Sequence, residues 1–356
     1  MSVTSQTDES TKPGGADTCK PNRMSKSFRI GGALAFLVGV SISASLIAYH
    51  NVSAVIEAVQ RIGWKLGIII AIYFLAVAIN SFAWLTLFRS EPLGFIRMLL
   101  AFRWIRESIN YLLPSAVVGG DIVGIRLMVA RGRDAGTATA VTVADKTLEA
   151  AGLFFFVLAG IFILLTQGED NGGMHWAILG LAAIAAMLIL FLLAQRWGLL
   201  RVADKAVLKL VGKCGGTSNA EDMSIHDKVW ELYADGPRLA FATFLHVLAW
   251  MPGVIQVWLL MRFMGHEITW QEAFIIESLS QMACAAAFIM PASLGAQEAA
   301  YMTMGMLFGI SPPLGLAVSL VQRLKDVSVS IIGLLVWQGF EGRRLWAQWK
   351  NRRRQQ

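Results

Sequence analysis

Asp145, Lys146 and Glu149 interrupt one long apolar run, and Arg323, Lys325 and Asp326 interrupt another. A charge at the centre of a bilayer helix costs about 2.5–3.5 kcal/mol on insertion scales, so such groups persist only where they pair or do work. Asp145 and Glu149 are four residues apart and share a helix face; Arg323 and Asp326, three apart, do the same. Carboxylates facing ammonium and guanidinium groups in this way have two uses. They can glue helices together by mutual pairing, or they can line a path along which a polar group crosses apolar surroundings. A second set surrounds two breaks in the apolar pattern. Glu107, Asn110, Asp121 and Arg126 flank Pro114-Ser-Ala-Val-Val-Gly119-Gly120-Asp121, and Glu298 follows Gln297 in Pro291-Ala-Ser-Leu-Gly295-Ala-Gln-Glu298. Arg103 and Arg106 precede the first break, where they could meet a lipid phosphate or snorkel to an interface.

Each break begins with proline, passes through glycine and reaches a carboxylate seven residues later. Proline ends a helix and glycine lets the chain turn sharply. In a membrane, broken backbone is tolerated only where protein or a polar cavity covers it. Paired interruptions of two halves point to a transport site. If new helices start near Gly120 and Gly295, Asp121 and Glu298 fall in first turns, where carboxylates also cap free N–H groups. Capping and headgroup recognition both remain open for them.

The elements that must position these groups are membrane helices. Of the 356 residues, 56% are hydrophobic and 15% charged, against about 25% charged in ordinary soluble domains. Charge-free runs such as Ile30–Tyr49, Leu66–Phe88, Trp176–Gln195 and Leu239–Met261 reach the length of about 20 residues that a crossing needs. The net charge of +7 does not point to nucleic acid, because the basic residues sit at the ends of apolar runs. The N-terminal tail holds Lys12, Lys20, Arg23, Lys26 and Arg29, and the C-terminal segment holds six further basic residues from Arg343 to Arg354. By the positive-inside tendency both termini are expected in the cytoplasm. Cys19, Cys214 and Cys284 have no metal-ligand spacing.

Charge counting threads the rest. Six crossings are expected (about 28–49, 66–88, 135–167, 176–195, 239–261 and 313–340), with re-entrant hairpins broken at Pro114 and Pro291. Full spanning by each hairpin arm is the alternative. The fold class is thus an all-α polytopic membrane protein. Residues 28–340 form its membrane domain, as an inverted repeat of about 66–167 and 239–340. Residues 1–27 read as a disordered tail, residues 341–356 as a basic one. Between 196 and 238, Arg201, Lys205, Lys209 and Lys213 recur every fourth residue, suggesting a cationic helix on anionic headgroups of the cytoplasmic face. His246, Pro252 and Gly253 suggest a kink in the fifth crossing, and no role is read for the histidine.

The residues Arg106-Glu-Ser-Ile-Asn-Tyr-Leu-Leu-Pro114 with Gly119-Gly-Asp121, and Phe288-Ile-Met-Pro291 with Gly295-Ala-Gln-Glu298 and Arg323, resemble the signatures of the lysylphosphatidylglycerol synthase transmembrane-region family. The resemblance covers about 28–340 and is nearest to its hopanoid-biosynthesis-associated members. It implies a flippase-like protein of the bacterial cytoplasmic (inner) membrane, moving a lipid between leaflets. Because the chain stops at Gln356, the large soluble domain of the aminoacylating members is not expected, nor is synthase activity.

The expected function is therefore translocation or export of hopanoid or another amphiphilic lipid, with the charged residues as its path. No cofactor or metal is expected. The partners are membrane lipid, with lipid-biosynthesis enzymes a further possibility. Two alternatives remain: an intramembrane enzyme modifying a lipid or isoprenoid, and a membrane scaffold for lipid biosynthesis. The sequence holds no His-Glu-x-x-His and no Gly-x-Ser-x-Gly to support the enzyme.

Overall fold

In the computed structural model the described residues are 60–88, 92–112, 119–167, 225–287 and 293–354, with isolated positions between 179 and 193. The expected first and fourth crossings, the N-terminal tail, most of the 196–238 loop with its cationic repeat, and Pro114 and Pro291 themselves lie outside them.

Every described element is helical. Helix α1 (Leu66–Thr86) leads to a hairpin of α2 (Ile96–Leu112) and α3 (Gly119–Val129), then to α4 (Ala135–Thr166). After the short α5 (Ile225–Tyr233) come α6 (Gly236–Leu248) and α7 (Met251–Phe263), a second hairpin of α8 (Trp270–Ala286) and α9 (Ala296–Met306), and α10 (Pro312–Arg354). Among the described residues, three stretches are long and apolar enough to cross a membrane: 60–86, 135–166 and 236–263. The last contains the kink expected from Pro252, which sits in the first turn of α7 where a missing N–H costs least. The final helix runs on to Arg354 rather than ending near Phe340, since no proline interrupts it.

Among the described residues, the arms of both hairpins are shorter than the three stretches above. At 1.5 Å per residue, α2 and α8, with 17 residues each, are about 26 Å long, and α3 and α9, with 11, are about 17 Å. Each hairpin packs on the helix before it and the helix after it. In addition, α2 lies along α10 and α8 lies along α4, so each hairpin's first arm rests on the last helix of the other half.

Small residues make both of these crossed contacts possible. A Cβ on Gly333 of α10 would fall 2.0 Å from Ser108 Oγ of α2. One on Gly160 of α4 would sit on Ser278 Oγ of α8, closer still. In lipid the helices gain little from leaving the solvent, so backbone approach of this kind supplies the packing. The two largest apolar cores follow the hairpins. One, around Trp84, Leu99, Phe102 and Met128, holds the first hairpin. The other, around Phe156, Val254, Ile276 and Val318, holds the second. Large apolar side chains that face outward, such as Phe155 and Phe162 on α4 and Ile331 and Leu335 on α10, give the surface that acyl chains require.

At the start of α4, Asp134 caps the helix, accepting from the Thr137 backbone N–H at 2.7 Å and hydroxyl at 2.9 Å, and it takes Lys228 Nζ of α5 at 2.7 Å. Partial burial opposes its charge, yet these donors prevail and hold its carboxyl at about 2, below the ordinary 3.8. A lowered value in the fold means stability that is complete above the unfolded value and lost as pH falls through the folded one. Asp134→Asn should therefore lower the thermal midpoint at neutral pH, and the deficit should close as the pH falls from about 4 to about 2.

The arms of the first hairpin meet at Gly120, where a Cβ would stand 2.1 Å from the Arg106 carbonyl oxygen, a backbone atom that cannot swing aside. Gly120→Ala should destabilise the purified protein in detergent by about 1–3 kcal/mol or more. Gly67→Ala, with no atom within 4 Å of the new carbon, should leave the midpoint unchanged or raise it.

Candidate functional site

Helix α2 presents Arg103, Arg106, Glu107 and Asn110 at helical spacing, and α4 presents Asp145, Lys146 and Glu149. Both arginines and Asp145 are fully buried. Asp145 Oδ2 receives Arg103 Nη1 and Arg106 Nη1 at 2.8 Å each. Glu149 Oε2 takes Arg103 Nη2 at 3.2 Å, Arg106 Nη2 at 3.3 Å and Lys146 Nζ at 3.2 Å. Arg103 Nε pairs with Glu107 Oε1 at 2.6 Å, and Arg106 Nε lies 3.0 Å from Asp121 Oδ1 of α3. The contacts of Arg106 Nε and Nη1 are close but off the N–H axis, so that pairing is Coulombic rather than a linear hydrogen bond. The Arg106 guanidinium also lies 5.1 Å from the Trp84 ring centroid.

On the far side, His246 Nε2 of α6 stands 3.3 Å from Asp145 Oδ1, and its Nδ1 is 2.9 Å from Asn80 Oδ1 of α1. Five elements thus converge on one carboxylate system.

The second cluster forms at the other break. Gly295 has φ 81°, and its N–H donates to Glu298 Oε2 at 2.8 Å. Glu298 Oε1 pairs with Arg323 Nε at 2.7 Å. One carboxylate therefore caps α9 and ties it to α10. Asp121 occupies the matching first turn of α3 but is drawn to Arg106. The cap there comes from Asn110, whose Oδ1 accepts from Gly120 N–H at 2.8 Å. Lys325 Nζ meets Asp326 Oδ1 at 3.1 Å and Gln256 Oε1 of α7 at 3.2 Å, and Gln256 in turn donates to the Ile69 carbonyl at 2.9 Å.

Two tyrosines join the clusters. Tyr73 donates to Glu107 Oε2 at 2.9 Å while its ring lies 5.3 Å under Lys325 Nζ. Arg323 Nη1 reaches Tyr111 Oη at 3.5 Å. The groups keep different degrees of access. Glu107, Lys146 and Glu149 retain 27–29% of their side-chain surface, and Asp326 retains 21%. Arg126 is half-buried near the end of α3. Neither Arg103 nor Arg106 has any exposed side-chain surface, so neither snorkels, and a lipid phosphate would reach them only by displacing carboxylates.

The model of one family, the lysylphosphatidylglycerol synthase transmembrane region, matches residues 36–333. The chain belongs to that family. The matched region holds both hairpins and both charge clusters, and membership makes this a membrane protein concerned with lipid. No curated protein and no solved structure matched.

Several residues that complete the site of this family member carry no motif in the sequence. His246, Asn80, Tyr73 and Gln256 each come from apolar stretches of other helices, whereas Tyr111 lies inside the Arg106–Pro114 signature on α2, where no role was read for it. Glu277 of α8 has one legible signal: it opens a Glu-Ser pair, as Glu107 does on α2.

Removing Asp145 would leave two buried guanidiniums around a neutral amide. Asp145→Asn should cost about 3–5 kcal/mol of stability in detergent. Lys146→Gln, at the accessible edge, should cost less than about 1 kcal/mol. Thermal or denaturant unfolding of both variants makes the comparison.

Proposed function

We propose that the protein translocates a lipid between the leaflets of a bacterial inner membrane, rather than altering it chemically. The observation that carries this reading is the layered charge site. A sealed Arg103–Asp145–Arg106 base lies beneath a rim of partly accessible Glu107, Lys146, Glu149 and Asp326. Asp145 is ten residues into α4, about 15 Å along the helix from its start. A polar head arriving there would exchange water for the rim carboxylates and Lys146, while its tails stayed in lipid beside the apolar faces of α4 and α10. Arg323 and Glu298 would hold the second hairpin against the same path.

The pattern of helix neighbours supports two inverted halves, α1–α4 and α6–α10, each with a hairpin that enters and leaves on one side. Alternating access would follow if one half rocked against the other about the α2·α10 and α8·α4 contacts. Hopanoid or a similar amphiphile is the cargo we favour, in keeping with the resemblance of the signatures. Both termini would lie in the cytoplasm, where the basic segments meet anionic headgroups.

Reconstitution tests this. Vesicles of phosphatidylethanolamine and phosphatidylglycerol, carrying a trace of headgroup-labelled lipid or a labelled hopanoid, should show protein-dependent leaflet exchange. Glu149→Gln and Asp326→Asn should slow exchange by about tenfold, the effect of roughly 1.4 kcal/mol, with the fold intact. Undiminished exchange in both would remove the proposed path. Chemical conversion of the lipid, seen by mass spectrometry, would replace translocation with an enzyme.

A further inference from the structure

Glu277 is a carboxyl that the path above does not use. It lies 2% exposed within the core of the second hairpin. Tyr301 Oη lies 2.6 Å from its Oε2, a pair in which either oxygen can supply the hydrogen, and Gln281 Nε2 donates to its Oε1 at 2.8 Å. Its carboxyl is pressed against the backbone of α7 at Gly253, where a Cβ would fall 2.5 Å from Oε1. No cation lies within ion-pairing distance of it among the described residues.

Its counterpart in the first half is Glu107. Both are followed by a serine that meets a glycine of the other half, Ser108 at Gly333 and Ser278 at Gly160. Both meet a tyrosine hydroxyl, Tyr73 or Tyr301. They differ one helical turn back. Glu107 has Arg103 at i−4, bonded to it at 2.6 Å, whereas Glu277 has the buried Ala273. A carboxylate can stay ionised in apolar surroundings only with a counter-charge; otherwise it takes up a proton. One half has kept the ion pair, and the other has kept the acid without its partner.

We propose that Glu277 is a proton-binding site, occupied in the conformation shown, through which a transmembrane pH gradient acts on the lipid movement proposed above. The groups that face it are Tyr301 from α9, Lys325 and Asp326 from α10, Gln281 and Cys284 from α8, and Gly253 from α7; α4 brings Gly160 against the adjacent Ser278. When the second hairpin opens to water, the carboxyl O–H bond breaks and the proton passes to a water or buffer base. The carboxylate left behind draws on Lys325, the nearest ammonium, which in this conformation holds Asp326 and Gln256 and lies over Tyr73. Asp326 belongs to the lipid path, and Tyr73 is bonded to Glu107 of that path. Loss of one proton in the second hairpin is thereby felt at the rim of the first. This coupling rests on the translocation reading; the proton site itself does not.

The test uses the full chain in vesicles of phosphatidylethanolamine and phosphatidylglycerol, with two readouts. Infrared difference spectra between acidic and alkaline buffer should show the carbonyl stretch of a protonated carboxyl, shifted in deuterium oxide. It should be absent in Glu277→Gln and restored in Glu277→Asp. A band unchanged in Glu277→Gln, or missing from the wild type, would overturn the site. In the second readout, an imposed pH gradient should accelerate exchange of labelled phosphatidylglycerol by the wild type, and that acceleration should be lost in Glu277→Gln while basal exchange persists. An equal gradient response in the variant would overturn the coupling. A wild type that moves no labelled lipid would count against translocation, and with it the coupling, while the spectra still decide the proton site.

Discussion

Two guanidiniums and one carboxylate share a space with no access to solvent, and the rest of the bundle is arranged around the cost of putting them there. Asp145 alone could not be ionised in an apolar interior, and neither could Arg103 or Arg106. Together, with Glu149, Glu107 and Asp121 closing the remaining N–H directions, each charge has opposite charges on more than one side. Such an arrangement is weak evidence for stability, because a well-packed apolar core would serve as well. It is strong evidence of a constraint. The first hairpin and α4 cannot separate without exposing bare charge to lipid, so a motion of this half must carry them as one piece.

That rigidity contrasts with the second hairpin. There, among the described residues, Glu298 ties α9 to Arg323 of α10, while Lys325 and Asp326 pair along α10 itself. Apolar packing and neutral hydrogen bonds do most of the holding, and Gly295 with its positive φ marks the turn into α9. A half built on Coulombic contacts faces a half built on close packing, across interfaces where glycine meets serine. Sliding is cheaper at such interfaces than at a salt-bridged one, since no charge is uncovered by a small displacement.

The sequence showed its membrane class, the two breaks and the buried charges because each is a local property. Long apolar runs need only composition. Proline and glycine act on their own residue and its neighbours. Asp145 and Glu149 could be placed on one face from their spacing. Partnership could not be read in the same way. Arg103 and Arg106 looked like residues for a phosphate or an interface, and they are instead the sealed centre of the network, with partners more than 40 positions away in sequence. His246, for which the sequence offered no role, stands against Asp145, a relation set by how α6 packs on α4.

By itself, then, the chain determined what must be hidden from lipid and where its helices had to break, since hydropathy and backbone chemistry act residue by residue. Which charge answers which, and which carboxyl is left without an answer, was decided only when helices distant in sequence came within about 3 Å of each other. Coulomb energy in an apolar interior depends steeply on that separation and on its surroundings, neither of which sequence spacing encodes.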